Sequence, residues 1–249
     1  MLFFAFFSSC ISGYSSNTDV DSSEINGVNV EGKEELPASI LVVLAALEDT
    51  WQAIGENANI YFRPPAFAVF REDMEVENCS LGGIYGAFYC PSSERIYIDV
   101  NALKGLKKQF GSVGESAQVY TLALAMAHHI QKLTDTTVYT NAMQESTEQG
   151  CDQMKLKLVL QADFYVGVWV FHVNKRPDIH YEFRDMVTGM DIVNNAVKED
   201  TPHMNSAQQV MSHELSKRGV IEKRVRWFAE GYNTGDIRQG DTSNSLGLN

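Results

Sequence analysis

The residues able to do chemistry sit in two apolar segments. The first is Leu122 to Gln131, LALAMAHHIQ, whose ionisable side chains are the adjacent His128 and His129. A helical zinc motif of the HExxH type places two histidines four apart on one face, with a glutamate between them as general base. Here Leu124 stands four before His128 and Ala125 holds the glutamate position. Spacing alone therefore argues no metal site, and a His pair at the end of an apolar helix reads first as structural. The second segment is Lys157 to Trp169, KLVLQADFYVGVW. Leu158, Ala162, Tyr165 and Trp169 share one stripe at helical spacing, which is ordinarily core. Gln161 and Asp163 interrupt it. Burying either without a partner is costly, so each is expected to hydrogen-bond. The structural reading, cross-linking of helices, is preferred to a site role.

These segments need helices to position them. Ile40, Val43, Leu44, Leu47, Trp51 and Ile54 mark one helical face. Arg63-Pro64-Pro65 ends that pattern, and Ala66 to Phe70 reads as a short extended run. A Gly-rich loop with Gly82, Gly83 and Gly86 follows. Ile96 to Val100 alternates as a half-buried strand does. Asn101 is read as the N-cap of a helix reaching Phe110. Further helices are expected over Glu115 to Leu133, Met143 to His172, Thr188 to Glu199 and Glu214 to Tyr232. The class is α+β, mainly helical, with a small β element.

At the N-terminus, Leu2 to Phe7 is an apolar run ending at Ser8, Ser9 and Cys10. Residues 1–11 are read as a signal, a truncated anchor segment or a lipoprotein box in which Cys10 takes the lipid. Residues 12–35 are rich in Ser, Asn, Asp, Gly and Glu and read as a flexible tether. Residues 36–240 form the folded domain, and 241–249 a flexible tail. The chain has 249 residues and a formal net charge of −12, which argues against a nucleic-acid binder working by phosphate neutralisation. On so acidic a chain, the basic-aromatic run Arg224 to Trp227 reads as a structural helix with Arg224 or Arg226 in ion pairs. His172, His180, His203 and His213 show no metal-ligand spacing, and Cys151 reads as a buried free thiol.

The order of motifs resembles the neutral zinc metallopeptidases of bacteria, over roughly Leu47 to Asp236. The resemblance is carried by Trp51-Gln52, Pro64-Pro65, GAFYCPSSERIYID from Gly86 to Asp99, and QFG from Gln109 to Gly111. AQVY from Ala117 to Tyr120, HHIQ from His128 to Gln131 and LQAD from Leu160 to Asp163 continue it. GVW from Gly167 to Trp169 and RVRWFAEGYNTGD from Arg224 to Asp236 complete it. The resemblance implies a zincin-like metallopeptidase domain, with long helices carrying the active-site motifs and zinc as cofactor in active relatives. It also implies export or membrane association through the N-terminus, without excluding the cytoplasm. The family commonly pairs cysteines around Cys90, which implies a Cys79–Cys90 bridge.

The departures decide the expected function. Laid on this sequence, the family's HEVGHH helix puts its first zinc-binding His on Leu124, its catalytic Glu on Ala125 and its second zinc-binding His on His128. The Glu of the family's ELQAD, the third ligand, falls on Val159. Asp163 is retained as a former partner of the first ligand His, and with Leu124 in that place it is expected to have lost its partner. One ligand of three remains, and the general base, whose assistance contributes about 10²–10⁴-fold in rate, is gone. No catalytic residue, metal ligand set or cofactor is therefore expected. The resemblance implies an inactive relative whose old cleft, bordered by His129, Gln161 and His213, binds a peptide or protein partner, or which serves structurally. An active enzyme with relocated ligands is the alternative. It is a poor one, since adjacent helical residues point about 100° apart.

Overall fold

A computed structural model describes residues 24–25, 28–32, 35–70, 86–134, 148–196 and 218–241. Cys10, Cys79, His203 and His213 lie outside them, as do the side chain of Cys151 and residues 1–23 and 242–249. In chain order the elements are β1 (Glu24–Ile25), β2 (Val28–Glu31), α1 (Ala38–Ala58), β3 (Ala66–Val69), β4 (Ala87–Cys90) and β5 (Arg95–Ile98). Then come α2 (Val100–Phe110), α3 (Ser112–Thr134), α4 (Glu148–Val173), α5 (Phe183–Ala196), α6 (Arg218–Thr234) and a 3-10 turn at Ile237–Gln239. The architecture is mainly helical α+β, as expected.

The strands order as β1-β2-β3-β5-β4 in one mixed sheet. β3 runs parallel to β2 and β5, and β4 is antiparallel to β5 with Tyr89 opposite Ile96. Ile96 and Ile98 point into the core while Tyr97 packs on the outer face with Phe88, the alternation of a strand with one face covered. The stretch expected to be a tether departs from expectation between Glu24 and Glu31. Glu24–Ile25 and Val28–Glu31 form β1 and β2, and Val30 is buried opposite Phe67. Backbone pairing on a sheet edge needs little apolar sequence, so composition did not reveal it.

Helix boundaries follow local chemistry. α2 is capped by Asp99, whose carboxylate accepts from the Ala102 amide at 2.9 Å. Asn101, read as the cap, is already inside the helix. Asn59 closes α1 in the left-handed conformation, φ 58°, with its amide on the Gly55 carbonyl. The helix expected from Thr188 begins earlier, at Phe183, and α4 is described from Glu148.

α3 runs through the middle of the core. From Ala117 to Gln131 every residue is buried. It packs on β4 on one side and on α4 and α5 on others. α4 and α6 cross at bare backbone. A methyl at Gly231 would lie 2.0 Å from the Phe164 carbonyl oxygen, and one at Gly167 would lie 2.2 Å from that of Phe228. Only glycine permits this approach. The crossing carries the N-terminal half of α6, with Arg224, onto α4 beside Asp163. α1 and the segment Gln153–Val173 are long and apolar enough to span a membrane, but half of the first window and 78% of the second are buried inside the fold.

Candidate functional site

α3 and α4 are antiparallel neighbours, tied at two places. Near one end, the Tyr120 hydroxyl donates to Asp163 Oδ1 at 2.5 Å. Near the other, Gln131 Nε2 donates to the Leu158 carbonyl at 2.8 Å and to Gln161 Oε1 at 2.9 Å. Leu124, Ala125, His128 and Val159 lie between these ties in sequence register, so the four positions singled out by the sequence share one stretch of the helix pair. They also share its burial. Leu124 and Ala125 are 1% and 0% exposed, and Val159 is 8% exposed. All three belong to the main apolar core.

His128 is buried, and its Nδ1 lies 2.7 Å from Gln131 Oε1. The proton can be placed by following carbonyls. Gly240 O can only accept, so Gln161 turns its amide nitrogen to it at 2.7 Å. Gln161 Oε1 and Leu158 O then fix the Gln131 nitrogen, leaving Gln131 Oε1 as the acceptor for His128 Nδ1–H. Nε2 of His128 therefore carries the lone pair, and it has no hydrogen-bond partner among the described residues. Burial pushes this imidazole down to about 4, against a small upward pull from Gln131.

His129 turns the other way. Its Nε2–H donates to the Arg63 carbonyl at 2.7 Å, and its Nδ1 accepts from the Tyr89 hydroxyl at 3.2 Å. The two rings meet edge to face. Burial also holds His129 down at about 4, although the Arg63 carbonyl and the Glu94 carboxylate favour its protonation. Glu94 is in turn bridged to Arg63 at 2.5 Å and to Lys132 at 2.8 Å. The neighbours thus carry opposite tautomers and serve opposite sides of α3. Neither His129 nor Gln161 lines an open cleft: both are buried and bonded within the fold.

Asp163, with Leu124 where the resemblance puts a ligand His, has other partners. Its carboxylate receives Arg224 Nε at 2.7 Å and Nη2 at 3.1 Å, in addition to Tyr120. Arg224 Nη2 also reaches the Tyr120 oxygen at 2.5 Å, and Nη1 donates to Asn194 Oδ1. Both charged side chains are 0% exposed. Burial opposes both charges: it raises the Asp163 carboxyl and works against the guanidinium, which Asp163 nevertheless keeps more basic than usual. Burial also lifts the Tyr120 hydroxyl well above its ordinary range, so it stays protonated as a donor. Arg224 as an ion-pair residue and Asp163 as a helix cross-link were both legible in the sequence. Their pairing was not, because 61 residues separate them. Tyr120 and Gln131 stood in the AQVY and HHIQ motifs without a role, and Asn194 was missed. The signal available for all three was a polar side chain in an apolar helical stripe.

A catalytic zinc needs three protein donors and an open position for water. Between the two ties the side chains offer one donor, the His128 lone pair, beside hydrocarbon at 124, 125 and 159. Among the described residues no group of three or more His, Cys, Asp or Glu could hold a metal ion. This donor set does not fit a catalytic zinc. Elsewhere, buried Cys90 places its sulfur 3.2 Å from the Ser92 hydroxyl.

Comparison with known proteins agrees with the motif order. The profile of the family described as "Putative neutral zinc metallopeptidase" matches residues 8–243. The chain is 29% identical over 203 residues to the uncharacterized protein YpfJ of Escherichia coli K12, covering 81% of this chain and 69% of that protein. It is 30% identical over 171 residues to uncharacterized proteins of Mycobacterium bovis (Mb2605) and Mycobacterium tuberculosis H37Rv (Rv2575), covering 66% of this chain and 57% of each relative. No solved structure matches.

Proposed function

We propose, from the premise that the chain belongs to the neutral zinc metallopeptidase family, that it is a catalytically inactive member, a pseudopeptidase. Its scaffold is kept to bind a peptide or protein partner or to serve a structural role. The observation that carries this reading is the set of replacements at the ligand positions. Leu124, Ala125 and Val159 have no lone pair to offer a metal, and they sit in a closed apolar core. A lone imidazole competes poorly with water and chelators for zinc. Without a carboxylate at 125, a water recruited by other means has no general base at the family position. The opposite orientations of His128 and His129 weigh against relocated ligands that would use both.

The N-terminal apolar run and Cys10 make export, with a signal or lipid anchor, the localisation that goes with this reading. A Cys79–Cys90 bridge belongs with an oxidising compartment.

Zinc content of the purified full chain, expressed and dialysed with zinc present, tests the proposal. Less than about a tenth of an equivalent is expected, with no hydrolysis of a denatured protein substrate, since catalytic sites take about one zinc on three ligands. One tightly held equivalent, removed by chelator together with peptidase activity, would overturn it.

A further inference from the structure

We propose that Glu94 is the latch of a hinged surface segment, residues 61–65, which swings away from the end of α3 when the latch is released and opens the apolar crevice that it helps to wall. This conformational device goes beyond the loss of activity and does not depend on it.

The segment is lightly held. It follows Ile60, whose amide bonds the Gly55 carbonyl of α1 at 2.8 Å, and it ends where Ala66 enters β3. Within it, Pro64 and Pro65 have no amide hydrogen to give. Among the described residues, the backbone of 61–65 makes one hydrogen bond to the rest of the fold, accepted by the Arg63 carbonyl from His129. Tyr61 is 83% exposed and has no partner among the described residues. Segments with so few contacts open locally at little cost. Phe62 forms part of the wall of an apolar crevice with room for about one methyl group, and Trp51 and Ile54 of α1 and Ile130 and Leu133 of α3 form other parts. Whatever ties the segment to the end of α3 therefore sets the width of the crevice.

That tie is electrostatic. Arg63 reaches Glu94 at 2.5 Å and Lys132 reaches it at 2.8 Å, while Lys132 also donates to the Pro91 carbonyl at 2.7 Å. The β4–β5 turn is thus bonded to the end of α3 on one side and to the segment on the other. Burial pushes the Glu94 carboxyl up, but Lys132 and Arg63 outweigh it and hold the carboxyl below its usual range, so the latch is charged at neutral pH. Glu94 also lies in the left-handed region, φ 52°. Few residues other than glycine, asparagine and aspartate adopt it readily, and such positions persist where the surroundings over-determine them. What glutamate adds here is a carboxylate that reaches two cations.

The indole N–H of Trp51 reports the opening. It is buried, it has no partner among the described residues, and its ring belongs to the crevice wall. Its hydrogen exchange is followed by NMR in the full native chain at neutral pH. Trp169, buried and bonded to the Ala46 carbonyl, is the reference for global opening. Glu94→Asn keeps a residue that tolerates the left-handed region and removes the latch. It should speed exchange at Trp51 by about 3–10-fold, the effect of two partly exposed ion pairs, and leave Trp169 unchanged. Arg63→Gln should do the same to a smaller extent, and salt at about 0.5 M should move the native chain toward the variants. Unchanged exchange at Trp51 in Glu94→Asn overturns the proposal, and so does a parallel rise at Trp169, which would make the contact merely structural. The salt titration uses the native chain alone, and a Trp51 rate indifferent to salt overturns the latch without any variant.

Discussion

Acidification should unfold this protein earlier than its paired carboxylates alone would, and the cause is the histidine pair at the centre of α3. Burial holds both imidazoles neutral, with pKa values of about 4 in the fold against 6.5 for the free side chain. Below pH 6.5 the unfolded chain takes up two protons that the folded chain refuses. A histidine whose pKa is lowered by folding contributes stability that is complete above the unfolded value and is lost as pH falls toward the folded one. The window therefore runs from about pH 6.5 to about pH 4. Each imidazole moves by about 2.5 units, so at 1.36 kcal/mol per unit the loss approaches ~3 kcal/mol for each, against a typical total stability of about 5–15 kcal/mol. The Glu48 carboxyl works the other way. Burial and the neighbouring Asp49 raise it to about 7, so its contribution is complete below its unfolded value and fades as pH rises toward 7. Two protons against one leave stability falling with acid through most of the window. Urea midpoints between pH 7 and pH 4.5, read by circular dichroism, measure the slope directly. His128→Leu and His129→Leu should each flatten it, and Glu48→Gln should steepen it. A midpoint unchanged between pH 7 and pH 5, or a slope indifferent to both histidine substitutions, would refute the reasoning.

Other outcomes follow from the buried network. Arg224→Met should cost about 3–5 kcal/mol in urea denaturation, because it strands the Asp163 carboxylate in the core. Asp163→Leu alone should cost a comparable amount, and the double substitution clearly less than their sum, so additive losses would show that the pair is not coupled. Peptide mapping of the unreduced protein should recover residues 79 and 90 in one cross-linked fragment, and Cys79→Ser should cost about 2–3 kcal/mol for a loop of this size. Free thiols at both positions in protein purified from an oxidising compartment would dismiss the bridge.

Much of the fold was legible because its signals are local. The apolar period of Ile40 to Ile54 specified α1, and the alternation around Ile96 specified β5, since each repeats within a few residues. Where a stronger local competitor existed, the reading slipped: Asp99 caps α2 from two residues before the expected Asn101. The proposed loss of the zinc site likewise rests on residue identity, because the side chains of leucine, alanine and valine carry no metal donor. What the chain alone could not reveal was the company these residues keep. Asp163 has its partner in Arg224, brought beside it by the bare Gly167 and Gly231 crossing of two helices. The opposite tautomers of His128 and His129 depend on distant neighbours: Gly240 lies 79 residues from the Gln161 that it orients, and Arg63 and Tyr89 lie 66 and 40 residues from His129. Side-chain type limits which chemistry a position can offer. Only packing decides where a buried charge is neutralised and which ring nitrogen carries a proton, because both depend on neighbours that the backbone brings from elsewhere.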